Sequence, residues 1–184
     1  MTGFLRQLWA SASAPEHFFR WLEPQPTRTV RGGAVAYGSL ALLSLACTLG
    51  LARLTRSDAP LLFAFFALVG SSGFFLYAWG FGSIFVQRAG TLDLRTWEVT
   101  GWCWTPALFG ALSLLLPLFF FPLPALVVAV FGVLVWHLMT LRGALQVFLG
   151  GRATRVVTIY GLYVYALPLV LFGFVVWFSA QFIG

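Results

Sequence analysis

Residues 102–141 form a run of forty positions without a single Asp, Glu, Lys or Arg. A hydrocarbon layer about 30 Å thick takes about 20 helical residues per crossing, so this run makes two crossings with nothing to spare. Pro117, Pro122 and Pro124 interrupt it; each removes a backbone donor and favours extended geometry just before its ring. The segment FFFPLP therefore reads as a hairpin turn at or slightly inside the membrane interface, shielded by neighbouring helices, and a re-entrant pair that never crosses is the rival reading. The pattern recurs along the chain. Apolar runs bounded by charge fall at 32–52, 60–86, 102–121, 122–141 and 156–182, which predicts an all-α polytopic integral membrane protein with five transmembrane helices. The second and fifth runs would reach about 40 Å as helices and must tilt or emerge from the hydrocarbon. With 184 residues, 60% of them apolar and only 9% charged, almost nothing is left for a water-soluble domain.

The first 31 residues carry four Arg and no continuous apolar core, so they do not read as a cleavable signal, and the mature chain is expected to begin at Met1. Within them Phe4, Leu5, Leu8, Trp9 and Ala12 share one helical face, with Arg6, Gln7 and Ser11 off it, and His17, Phe18, Phe19, Trp21 and Leu22 follow Pro15. This predicts a short interfacial segment at 1–31 ahead of a membrane domain at 32–184. The alternative is a tail that packs on the bundle's own cytoplasmic end, and both place its aromatics at headgroup level.

The net charge of +6 comes from eleven basic residues, all Arg. They are scattered, with no basic run interleaved with aromatics, which argues against nucleic acid. Five spans put Arg6, Arg20, Arg28, Arg31, Arg88, Arg95, Arg142, Arg152 and Arg155 on one side and only Arg53 and Arg56 on the other. The bias of basic residues in short loops places the nine-Arg side in the cytoplasm, with the N-terminus inside and the C-terminus outside.

Chemistry inside a bilayer needs ionisable groups there. All five acids, Glu16, Glu23, Asp58, Asp93 and Glu98, fall in tails, loops or the start of the third span, which leaves no carboxylate near the midplane to couple proton or cation transport. Gly70-Ser71-Ser72-Gly73 matches the pattern of rhomboid-type intramembrane serine proteases. Its only imidazole partner within a span, His137, is expected about 15 Å away in depth, so close helix packing by small residues is preferred. Cys103 and His137 sit near the cytoplasmic ends of adjacent spans, but two residues are not a site; a buried Cys is usually filler and a lone His a packing residue. Cys47 shows no disulfide or metal-ligand spacing. No metal and no cofactor is expected.

A cluster of charge and tryptophan remains at the cytoplasmic interface: Asp93, Arg95, Trp97, Glu98, Trp102, Cys103, Trp104 and Pro106 around the second loop, with Arg142, Arg152 and Arg155 opposite in the fourth. Acids and arginines are expected to pair here. One reading is a Trp-anchored lid that holds helix ends. The functional reading is a surface that docks a cytoplasmic protein or anionic lipid headgroups, with Arg142, Arg152, Arg155, Arg95, Glu98, Trp102 and Trp104 as its residues.

Three segments, in order, resemble one family. The tail APEHFFRWLEPQP looks like a Pro-plus-aromatic approach to a first span; EVTGWCWTPALFG, at 98–110, is similar to an acidic-x-x-Gly-aromatic-Cys/Ser-x-x-Pro start of a third; LRGALQVFLGGRATRVVTIY, at 141–160, resembles a short Gly-containing loop with an Arg leading into a fifth. The chain thus resembles the Yip (Ypt-interacting protein) domain family of five-span membrane proteins. For eukaryotic members the resemblance implies prenylated Rab-type GTPases, vesicle traffic and membrane shaping. This chain has neither their longer N-terminal region nor their Asp-Leu-Tyr-Gly-type motif, and looks more like the compact prokaryotic branch, for which the resemblance implies a fold, a prokaryotic inner or plasma membrane as the location, and no settled activity. The expected function is non-enzymatic: organising or shaping membrane, or docking a partner or anionic lipid. The alternative is a small transporter or channel subunit, which at 20.3 kDa would need homo-oligomers to line a path.

Overall fold

A computed structural model describes residues 3–54, 60–90, 93–115 and 123–168, together with 170, 173, 174, 177 and 181. Among these the structure is all helical. The tail folds as α1 (Phe4–Ser13) and α2 (Pro15–Leu22). Pro15 at the first position of α2 needs no amide partner and is preset for the helical φ. The first long helix is α3 (Thr29–Leu54). A second helical rod joins α4 (Pro60–Phe75), a π-helical turn at Leu76–Phe81 and α5 (Gly82–Gly90). Then come α6 (Arg95–Trp102), a turn at Cys103 and Trp104, and α7 (Thr105–Leu115). After α8 (Leu123–Leu149), a 3-10 turn at Gly150–Arg152 leads to α9 (Ala153–Gly161) and a second π-helical turn, Leu162–Ala166.

Among the described residues, three stretches are long and apolar enough to cross a membrane: Thr29–Gly50, Ala67–Ala89 and Val128–Ala166. The third is not one rod. The rings of His137 and Tyr160 lie 5.9 Å apart, whereas a straight helix would separate residues 23 apart by about 35 Å. The chain reverses at Gly150, whose φ of +54° favours glycine, so α8 and α9 pack side by side.

Element boundaries correct the sequence reading at several points. The fourth apolar run continues as helix past Leu141 to Leu149, because Arg142 and Gln146 sit on its exposed face and cost the helix nothing. His137 is therefore about 20 Å from the reversal at Gly150, deeper than expected. Trp102 ends the separate helix α6 rather than opening a span. Most of the FFFPLP turn lies outside the described residues, as do Arg56 and Asp58; Pro124 falls in the first turn of α8, where proline is tolerated. In α1 the buried face is Gln7, Leu8, Ser11 and Ala12, while Leu5 and Trp9 are exposed. The tail turns its small and polar residues inward, where they find partners: the Ser11 hydroxyl donates to Thr105 Oγ1 at 2.9 Å.

A π turn frees a backbone carbonyl, and in hydrocarbon that carbonyl must be satisfied from elsewhere. The two π turns do this for each other. Tyr77 in the first donates its hydroxyl to the Tyr163 carbonyl in the second at 2.5 Å, and Tyr160, just before the second, donates to the Ala78 carbonyl in the first at 3.1 Å. Gly82 admits the Tyr160 ring, since a Cβ there would stand 2.7 Å from it. The α4–α5 rod and the α9 segment are thus clasped where each is locally unwound.

The core is concentrated where the tail meets the bundle, around Phe18, Phe19, Trp102, Trp104, Leu141 and Leu145, all fully buried. Away from that end the surface is apolar: Leu61, Phe65, Leu76, Phe81, Val128, Phe131, Val170 and Trp177 are all exposed. An apolar belt of this kind is solvated by lipid chains rather than by water.

Candidate functional site

The tail, residues 93–104 and the 142–155 region gather at one end of the bundle. The start of α3 organises it. The Glu98 carboxylate, buried, accepts the Arg28 main-chain N–H at 2.8 Å just ahead of α3, at a helix N-terminus where unpaired amides and the dipole favour negative charge. One turn on, α6 crosses α3 at contact distance. A Cβ on Gly101 would lie 2.2 Å from the Gly32 carbonyl oxygen, and one on Gly32 would lie 2.6 Å from Glu98 Cα.

Arginines knit the tail onto this crossing. Arg31 donates to Gln7 Oε1 at 2.5 Å, and its guanidinium lies 5.3 Å from both the Phe4 and Trp102 ring centroids, a cation–π placement. Arg95 donates to the Leu22 carbonyl at 2.7 Å and to that of Gln25, which caps the C-terminus of α2 with positive charge. Trp79 Nε1 donates to the Trp97 carbonyl at 3.1 Å. The acid–arginine pairing expected across the second and fourth loops is replaced by these contacts. Glu98 bonds main chain, Arg95 bonds main chain, and Arg142, Arg152 and Arg155 stand exposed.

Of the seven residues proposed for docking, then, three arginines lie on the surface and Arg95 is half-buried, while Glu98, Trp102 and Trp104 are interior. The two tryptophans are packing groups, not interfacial anchors. Trp104 stacks on His137 with ring centroids 3.8 Å apart. Because a carbonyl can only accept, His137 Nδ1, 2.9 Å from the Cys103 oxygen, carries the proton, and Nε2 is left as a buried acceptor without a partner. Cys103 and His137 are thus brought together, through the cysteine's carbonyl. Ser72 is held elsewhere: it donates to the Leu68 carbonyl at 2.9 Å and lies 3.3 Å from Tyr37 Oη. Both cysteines are free thiols, and among the described residues no group of three His, Cys, Asp or Glu could hold a metal.

Among the cavities at this end, two have charged residues in their walls. One, of about 180 Å³, is lined by Gln7, Trp21, Arg28, Arg31 and Glu98. The other, of about 440 Å³, lies between the α1–α2 elbow and α8 and includes Glu16, Thr140, Arg142 and Gln146. Sequence reasoning missed Glu16, Thr140 and Gln146. The signal available was the α8 face on which Val128, Phe131, Val135 and Met139 give way to Arg142 and Gln146 at helical spacing. Chemically, this end offers guanidinium groups at the surface, matched to phosphate or carboxylate, above a densely bonded plug.

A helical bundle with an apolar belt and one end closed by its own folded tail defines an integral membrane protein of the polytopic α-helical class. The chain belongs to the Yip1 domain family, whose model matches residues 9–176. No curated protein and no solved structure matches it.

Proposed function

We propose that this protein is a non-enzymatic, five-span Yip1-domain protein that organises or shapes its membrane by docking anionic lipid or a partner protein at the tail end of the bundle. The observation that carries this reading is the exposure of Arg142, which lines a cavity with the tail, and of Arg152 and Arg155 just after α8, with Leu5 and Trp9 of α1 also exposed. Guanidinium groups next to exposed apolar side chains suit a membrane surface. Five crossings follow if α3, the α4–α5 rod, α7 with the residues after it, α8 and the segment from α9 onward each span. The reversal at Gly150 supports separating the last two. In that arrangement the bias of basic residues makes the arginine-rich end cytoplasmic, and the resemblance to the compact branch of the family makes the membrane that of a prokaryotic cell. A reporter active only in the cytoplasm, fused after Gly184, is expected to stay silent, and the same reporter fused before Met1 to be active; activity at Gly184 overturns the five-span orientation.

An Arg near an anionic surface contributes about 1 kcal/mol, so replacing Arg142, Arg152 and Arg155 together with Gln is expected to weaken binding to anionic liposomes roughly a hundredfold. The loss should shrink as salt is raised. Unchanged recovery of anionic lipid and of co-purifying proteins, with normal insertion, removes the docking reading. The rival, a transporter or channel subunit, draws support from the paired π turns and from the partnerless buried His137 Nε2 and Tyr165 Oη. Substrate-dependent flux in liposomes would favour it.

A further inference from the structure

The cavity between the α1–α2 elbow and α8 has the features of a single-ligand site. Its volume of about 440 Å³ lies in the range of small-molecule sites, about 300–1,000 Å³. The walls are fixed rather than loose. Gly143 lets the elbow press on α8, a Cβ there lying 2.8 Å from Pro15 Cγ, and Trp136 Nε1 donates to the Ala12 carbonyl at 2.9 Å. Its wall holds an unpaired polar group: Thr140 lines the cavity, is 1% exposed, and its hydroxyl has no hydrogen-bond partner. A buried hydroxyl left unpaired is costly, and a ligand oxygen would satisfy it.

Charge and position narrow the ligand. Arg142, on α8, supplies a guanidinium, while α2, whose N-terminus at Pro15 borders the cavity, has no side-chain cap. Both favour a phosphate, together with Thr140. Glu16, on the tail wall, favours a cation. An anion alone leaves Glu16 unanswered and a cation alone leaves Arg142 unanswered, so the two walls suit a group that carries both charges, and the Glu16 carboxylate, which can only accept, favours a primary ammonium over a quaternary one that has no N–H to donate. Below the cavity, the α8 side chains Val128, Phe131, Val135 and Met139 form one helical face, 40–71% exposed. That apolar strip becomes Arg142 and Gln146 within two turns of Met139, which itself lines the cavity. It offers a track for acyl chains ending at a polar pocket.

We propose that this cavity holds the headgroup of one zwitterionic phospholipid of the phosphoethanolamine type, phosphate on Arg142 and Thr140 and ammonium on Glu16, with its chains along α8. The proposal rests on the membrane-docking reading and adds a selective site to it. The test uses the full chain, delipidated in mild detergent and offered equal amounts of phosphatidylethanolamine, phosphatidylglycerol and phosphatidylcholine, with retained lipid read by native mass spectrometry. One phosphatidylethanolamine is expected to be retained in preference. Arg142→Gln should weaken its retention about tenfold, Glu16→Gln should abolish the preference over phosphatidylglycerol, and Thr140→Val, which keeps the shape and cannot be blamed on lost charge, should weaken retention of all three. Arg152→Gln with Arg155→Gln should leave the preference intact while weakening adhesion to anionic liposomes. Equal retention of the three lipids by the unaltered chain, or retention untouched by Arg142→Gln and Thr140→Val, overturns the site. If adhesion to anionic liposomes survives that outcome, the docking reading stands without it. Displacement of the lipid by free phosphoethanolamine at matched concentration overturns the role assigned to the acyl chains.

Discussion

Gly101→Ala is expected to destroy the folded protein. A methyl at residue 101 would stand 2.2 Å from the Gly32 carbonyl oxygen, 2.3 Å from its carbonyl carbon and 2.6 Å from its Cα. These are backbone atoms in the first turn of α3, so no rotamer change relieves the clash and the helices must separate. Ordinary overpacking costs about 1–3 kcal/mol, where side chains can shift; here the separation also pulls Glu98 from the Arg28 amide and Trp102 from the Arg31 guanidinium. A loss of about 4 kcal/mol or more against a total stability of about 5–15 kcal/mol leaves little folded protein. Size-exclusion chromatography and thermal melting in detergent supply the readout. Gly101→Ala should elute as aggregate or melt at least about 10 °C low. Gly132→Ala, where a Cβ meets nothing within 4 Å, should melt within about 2 °C of the unaltered chain, alanine being the better helix former. A Gly101→Ala protein that melts with the unaltered chain would show that the α3–α6 crossing is not as close as the structure has it.

That glycine was visible in the sequence as part of 98–110, but only as a letter in a resemblance. The structure supplies its physics: the acid of the motif accepts the amide ahead of α3, and the glycine a turn later lets the two backbones touch. Hydrophobic length carries over well from sequence to structure, since a run of apolar residues without charge has few folds open to it in lipid; the runs at 32–52 and 60–86 lie within helices. Their ends were harder to place. The fourth run stops at Arg142 if charge marks a boundary, yet a helix can carry Arg142 on its outer face and turn only at Gly150, where the backbone needs a positive φ. The tail misled for a related reason. Periodicity identified one apolar face of α1, but partners decide which face is buried, and Thr105 and Arg31 draw Ser11 and Gln7 inward while Leu5 and Trp9 face out. Trp102 and Trp104, read as interfacial anchors from composition, are core residues because α1, α2 and α8 cover them. The π turns left no local signal, since the Tyr77 and Tyr160 hydroxyls that stabilise them come from the opposite helix.

Removing the Glu98 carboxylate should be the second most damaging change, and it separates electrostatics from packing. In Glu98→Ala the Arg28 N–H loses its acceptor and the N-terminus of α3 loses the negative charge that faces it. A hydrogen bond to a charged group contributes about 1.5–3 kcal/mol, which for a chain of this size corresponds to a melting point lower by about 5–10 °C. Glu98→Gln keeps the length and an oxygen acceptor but not the charge, and a neutral bond is roughly half as strong, so about half of that loss should return. Glu98→Asp keeps the charge and shortens the reach by one methylene, and with α6 fixed against Gly32 the carboxylate cannot follow, so Asp should behave more like Ala than like Gln. Amide hydrogen exchange over residues 26–32 localises the effect, because faster exchange there, without matching change in α8, marks fraying of the α3 start rather than general loosening. Equal melting points for Ala, Gln and the unaltered chain would mean that the carboxylate contributes nothing net. Ala and Gln equally low, with Asp normal, would mean that charge rather than reach holds α3 in place. The expected order, unaltered above Gln above Asp and Ala, requires both, as a buried carboxylate aimed at one particular amide should.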